Sequence, residues 1–157
     1  MTIAVDFDGV IHAYSRGWQD GTIYDEPVPG AVDALHALMG QYAVFIHTSR
    51  DPEQVVPWLE GLGFDVTADD PCVRCQGAGG LAEPDDDDPV PGGMYVEDPC
   101  RDCEGSGYLR FWNERGRLLV TDRKLPAVAY VDDRAIRFTT WRDAFAQLHS
   151  IQGANSA

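Results

Sequence analysis

The sequence predicts an α/β protein: a Rossmann-like parallel sheet with helices on both faces, interrupted by a small cysteine-rich insertion. Three observations carry this. Short apolar runs alternate with stretches of helical periodicity, the pattern of strand–helix units that build parallel sheets. All four cysteines and most of the acidic excess fall in one segment that lacks long apolar patterning. The 157 residues suit one compact domain better than two, and 44% hydrophobic residues supply a core for it.

The elements follow in order. Ile3-Ala4-Val5-Asp6-Phe7 is a buried-strand run, followed by a loop rich in Gly, Tyr and Trp that extends to Pro27-Val28-Pro29-Gly30. Ala31, Leu35, Leu38 and Met39 recur at helical spacing, and Gly40 stands where that helix would stop. Tyr42 to Ile46 is a second strand. Asp51 and Pro52 have the form of an N-cap and a first-turn proline, ahead of the apolar face Val55, Val56, Leu59 and Leu62. Gly63 ends that helix, and Phe64 to Thr67 is a third strand. Tyr108–Trp112 and Arg117–Thr121 flank Asn113-Glu114-Arg115-Gly116 and read as a hairpin. Ala127 to Val131 is the last strand, and a final helix covers about Trp141 to Ile151. The expected division is therefore a core of residues 1–67 and 120–157, with 68–119 as an insertion ending in the hairpin.

Charge narrows the function classes. Twenty-six acidic side chains against twelve basic give a net −14, which repels nucleic acid and anionic membrane at long range. No apolar run approaches the roughly 20 residues of a membrane helix, and Met1 leads directly into Ile3-Ala4-Val5 without signal-peptide features. The expectation is a soluble, cytoplasmic protein with no membrane partner. Residues 68–108 hold eleven of the acids and only two bases, a net of −9.

Ligand sites in parallel sheets lie at the carboxyl ends of the strands. Here those ends carry Asp6-Phe7-Asp8-Gly9, Thr48-Ser49-Arg50 and Asp132-Asp133, with Lys124 shortly before the last strand. Clustered carboxylates repel one another unless a cation neutralises them. Hard divalent cations such as Mg²⁺ prefer oxygen ligands and combine carboxylates with phosphate oxygens. Each piece also has a plain structural reading, as a turn, a helix cap or a solvated acid pair; their joint placement is what points to chemistry.

Asp6-x-Asp8-Gly9, Thr48, Lys124 and Asp132-Asp133, in this order, resemble the haloacid dehalogenase (HAD) superfamily, over about residues 1–67 and 120–150. Most members of that superfamily are Mg²⁺-dependent phosphatases working through a phosphoaspartate, and the second Asp of the first motif favours that branch. The resemblance implies Asp6 as nucleophile and Mg²⁺ ligand, and Asp8 as general acid and base with a carbonyl on the metal. It implies Thr48 (or Ser49, if the strand ends one residue later) on a phosphate oxygen, and Lys124 neutralising the phosphoryl group. Asp132 and Asp133 would complete the metal site. Ser49 and Arg50 join Thr48 and Lys124 as candidate substrate contacts. Residues 10–26 occupy the place of the family's mobile flap, where Trp18 and Arg16 either meet substrate or pack the flap. The four histidines, His12, His36, His47 and His149, lack metal-ligand spacing and receive no role.

The cysteines form a repeat. Cys72-Val-Arg-Cys75-Gln-Gly77-Ala-Gly79 and Cys100-Arg-Asp-Cys103-Glu-Gly105-Ser-Gly107 both follow CxxCxGxG, each after a proline. Cys72, Cys75, Cys100 and Cys103 thus supply either a closed tetrahedral Zn²⁺ site or two disulfides, which a cytoplasmic compartment disfavours. The repeat resembles the zinc modules of DnaJ-type chaperones over these two motifs only. Zinc here would be structural, stapling a segment too polar to fold alone, and the module would cap the site or dock a protein. The run Asp85 to Asp88 is expected to be a solvated loop.

The leading expectation is a phosphoric monoester hydrolase acting on a phosphorylated substrate of unnamed identity. Two alternatives stand beside it: a non-enzymatic module that binds protein through the zinc insertion, and a polynucleotide end phosphatase. The last draws on Arg110, Arg115, Arg117 and Arg123 near the insertion, against the insertion's own negative charge.

Overall fold

The computed structural model describes residues 1–81, 98–137 and 139–154. Five strands form one parallel sheet: β1 (Thr2–Asp6), β2 (Ala43–His47), β3 (Val66–Ala68), β6 (Leu118–Thr121) and β7 (Ala129–Val131). Their spatial order is β3-β6-β2-β1-β7. Helix α1 (Ala31–Gln41) links β1 to β2, α2 (Pro52–Gly61) links β2 to β3, and α3 (Trp141–Ala154) follows β7. A short antiparallel pair, β4 (Gly80–Leu81) and β5 (Asp98–Pro99), lies between β3 and β6. The Asp85–Asp88 run lies outside the described residues.

Alternation along the strands divides the core in two. Ile3, Val5, Val44, Ile46, Leu118 and Val120 face α1 and α2, meeting Leu35, Met39, Val55 and Leu59. Ala4, Ala43, Phe45 and Leu119 face the other way, against Trp112 and Leu125. That second layer contains no helical residue among those described. α2 begins as its sequence suggests: the Asp51 carboxylate accepts the Glu53 N–H at 2.9 Å, and Pro52 occupies the first turn. Among the described residues, no helix is long and apolar enough to cross a membrane.

The hairpin expected over residues 108–121 does not form. Leu118 to Thr121 instead enters the sheet between β2 and β3, parallel to both. The physical reason lies in burial: all four residues are buried, the signature of an internal parallel strand, not of a half-exposed hairpin arm. Trp112, assigned to the partner arm, packs in the second layer, where its carbonyl accepts the Thr2 hydroxyl at 2.6 Å. The sheet thereby includes residues 118 and 119, which the sequence reading had placed in the insertion.

Candidate functional site

β1 lies between β2 and β7, so their carboxyl ends are adjacent. Asp6 ends β1, while Asp132 and Asp133 directly follow β7. Carboxylate oxygens of these three lie within 4.8 Å of one another. Asp6 is half-buried, and its Oδ1 accepts the Phe7 N–H at 2.8 Å, which leaves Oδ2 free of that bond. Burial pushes its carboxyl above the ordinary 3.8; the Phe7 N–H opposes this, and the charges of Asp132, Asp133 and Asp8 add to the rise. Gly9 makes the close approach possible. It sits at φ +83°, and a Cβ there would lie 2.8 Å from the Asp133 carboxyl carbon.

Asp8 stands outside this trio. Its carboxylate accepts Arg50 Nε at 2.7 and 3.0 Å and lies 2.8 Å from His12 Nδ1. Arg50 is only 3% exposed; its Nη1 donates to the Gly21 carbonyl, and its guanidinium sits beside the rings of Tyr14 and Trp18. Its Nη2 is buried with no acceptor among the described residues, a state that costs about 1–3 kcal/mol. Thr48 is buried, its Oγ1 accepting the Arg50 N–H at 3.2 Å, whereas Ser49 is exposed. Lys124 is exposed, with Nζ 5.2 Å from the centre of the Tyr130 ring, and makes no ion pair among the described residues. Trp18 is exposed against Arg50.

Sequence reasoning gave His12 no role, yet it is fully buried and bonded to Asp8. Asp69 was missed as well. It sits just beyond β3, accepts the Thr121 hydroxyl at 2.6 Å and pairs with Arg123 Nε and Nη2 at 2.7 and 3.0 Å. The His12–Asp8 spacing of four residues was the available signal; the Asp69 pairing, across 54 residues, had none. Arg123 also donates to the Leu109 carbonyl and stacks on Tyr108, tying the cysteine module to the sheet. A cleft of about 680 Å³ opens here, with Arg50, Thr121 and Tyr108 in its walls.

Cys72, Cys75, Cys100 and Cys103 bring their sulfurs within 4.8 Å of one another, and all four thiols are free. Sγ–Sγ separations of 3.8 Å (Cys72–Cys100) and 3.6 Å (Cys75–Cys103) match the ~3.8 Å edge of a tetrahedron with Zn–S bonds of ~2.3 Å. The donor set could hold a zinc ion. The two halves repeat each other in backbone as in sequence. Gly79 N–H donates to Cys75 Sγ at 3.3 Å and Gly107 N–H to Cys103 Sγ at 3.2 Å. Cys72 N–H reaches the Gly107 carbonyl and Cys100 N–H that of Gly79. Burial pushes Cys75 up to about 11; at Cys103 the same effect is outweighed by the Gly107 N–H and neighbouring thiols, which bring it down to about 7.

Much of the basic cluster near the module is neutralised within the chain. Arg110 pairs with Glu104, Arg117 with Asp65 at 3.2 Å, and Arg123 with Asp69. Comparison with known proteins finds no matching family model, no matching curated protein and no matching solved structure.

Proposed function

We propose that the protein is a phosphomonoesterase of the HAD type, acting through Asp6. The observation that carries this reading is the convergence of Asp6 with Asp132 and Asp133 at the ends of adjacent parallel strands. Three acids held this close call for a cation; burial first, and then the charges of Asp132, Asp133 and Asp8, hold the Asp6 carboxyl above its ordinary value in the absence of one. Asp6, Asp132 and Asp133 would hold Mg²⁺, which when bound neutralises phosphoryl oxygens as a Lewis acid.

In the proposed reaction Asp6 Oδ2 attacks phosphorus in line, forming the Asp6–phosphorus bond as the bond to the leaving oxygen breaks. For this step Asp8 must first take up a proton from solvent and turn one oxygen away from Arg50; it then gives that proton to the leaving oxygen. Water then attacks the phosphoaspartate, Asp8 takes its proton, and inorganic phosphate leaves with Asp6 regenerated. Thr48 and Lys124 bind phosphoryl oxygens, Lys124 moving off the Tyr130 ring to do so. Arg50 Nη2, a donor without an acceptor among the described residues, is a further candidate for a substrate oxygen. The 680 Å³ cleft beside Arg50 would take the leaving group, with Tyr108 of the cysteine module as part of its wall. In this reading the four cysteines hold a structural Zn²⁺.

The internal pairing of Arg110, Arg117 and Arg123 leaves the polynucleotide reading little basic surface. Protein docking on the zinc module remains the second reading, favoured by the exposure of Val73 (92%) and Phe111 (59%). The test is Mg²⁺-dependent release of phosphate from an aryl phosphate and a panel of phosphomonoesters. Activity in the wild type that Asp6→Asn abolishes supports the phosphatase; wild-type-like turnover by Asp6→Asn overturns it.

A further inference from the structure

His12 follows β1 by six residues and is enclosed completely, its ring packed among Phe7, Tyr14, Tyr24 and Trp58 at centroid distances of 5.1–6.1 Å. Both ring nitrogens are used. Nε2 accepts the backbone N–H of Asp25 at 3.1 Å, and Nδ1 lies 2.8 Å from Asp8 Oδ1. A backbone N–H can only donate, so Nε2 must be the bare nitrogen, and Nδ1 carries the hydrogen and aims it at Asp8. The hydrogen-bond network fixes this tautomer.

The other side-chain donor to Asp8 is Arg50, and its Nη1 is fixed on the Gly21 carbonyl at 2.5 Å. Gly21 and Asp25 lie on one loop, residues 13–26, between His12 and the Pro27 bridge. Each side chain that orients Asp8 is therefore itself oriented by that loop's backbone, His12 by an N–H and Arg50 by a carbonyl. Moving the loop away would release both donors together.

We propose that His12 is a positioning residue: it aims Asp8, and it couples that aim to the backbone of the 13–26 loop. The proposal rests on the phosphatase reading for its catalytic meaning. His12 transfers no proton; it donates through Nδ1–H, while Asp8 alone gives and regains the reaction's proton.

Two isosteric variants separate the two bonds. His12→Asn keeps an N–H near the Nδ1 position and loses the acceptor for Asp25; His12→Gln keeps a group near Nε2 and loses the donor to Asp8. With thermal unfolding verifying the fold, His12→Gln is expected to lower kcat roughly 10- to 100-fold with KM nearly unchanged, within the range for a misdirected general acid. His12→Asn, which keeps the donor to Asp8 but loses the loop's hold on the side chain, is expected to lose less than His12→Gln without matching the wild type. Equal effects of the two variants would overturn the proposal. ¹⁵N NMR of the wild type supplies a readout that needs no turnover: the expected pattern is a protonated Nδ1 and a bare Nε2. A protonated Nε2, or an imidazolium, overturns the inference even if no variant folds. A wild type inactive on every phosphate ester would instead sink the phosphatase reading and with it the catalytic role of His12, whatever the tautomer.

Discussion

Gly107→Ala tests how the cysteine module is built. Gly107 sits at φ +76°, and a Cβ there would lie 2.9 Å from the Gly77 carbonyl carbon in the opposite half of the repeat. Two costs follow. An L-residue in the left-handed region costs about 1–2 kcal/mol, and forcing a methyl group against backbone adds about 1–3 kcal/mol. The second matters more, because Gly107 N–H donates to Cys103 Sγ and its carbonyl accepts from Cys72. Displacing this residue disturbs sulfurs in both halves. Gly116 is the control: its φ is +82°, with nothing within 4 Å of a built Cβ, so Gly116→Ala carries only the first cost. The assay is zinc content per chain and the rate of zinc loss to a chelator, alongside urea unfolding. Wild type and Gly116→Ala should retain one zinc; Gly107→Ala should lose it faster and unfold at lower urea. Identical behaviour of the two variants would refute the account of packed knuckles.

Further predictions concern the strand ends. The raised carboxyl of Asp6 means that the metal-free fold binds this proton more tightly than the unfolded chain does. Its contribution is present below the ordinary 3.8 and is lost as pH rises through the higher folded value. Bound Mg²⁺ should reverse that loss, by about 2.7 kcal/mol at a hundredfold excess over Kd. Thermal unfolding should therefore show Mg²⁺ stabilisation at neutral pH that fades toward about pH 4; equal stabilisation at both would contradict the site. Arg123→Ala leaves the well-buried Asp69 carboxylate with the Thr121 hydroxyl as its remaining side-chain donor, and should cost about 1–3 kcal/mol in urea unfolding. A change under ~0.5 kcal/mol would mean that the clamp behaves as an ordinary surface pair.

What was legible in the sequence was local or periodic. β1, β2 and α2 announce themselves through unbroken apolar runs and the Asp51-Pro52 start, because neighbouring residues decide them. The cysteine module is legible because its eight-residue pattern occurs twice. The approach of Asp6 to Asp132 and Asp133 follows from the rule that strand ends gather on one edge, needing only that β1 and β7 be neighbours. β6 was misread because Gly116 resembles a hairpin turn, while the place of Leu118–Thr121 between β2 and β3 depends on pairing with strands about 50 and 75 residues earlier. Arg50 on Asp8, 42 residues apart, is a contact that no local pattern encodes. The same holds for the buried His12, whose partners are fixed only once the 13–26 loop folds back.

The central claim is that Asp6 makes a bond to phosphorus. Acid quenching during turnover of an aryl phosphate with Mg²⁺, followed by peptide mass spectrometry, reads it directly. The account predicts a phosphoryl group on the Asp6 peptide of the wild type and none on that of Asp6→Asn. Phosphate release with no phosphorylated Asp6 peptide, or with the phosphoryl group on another residue, would contradict it.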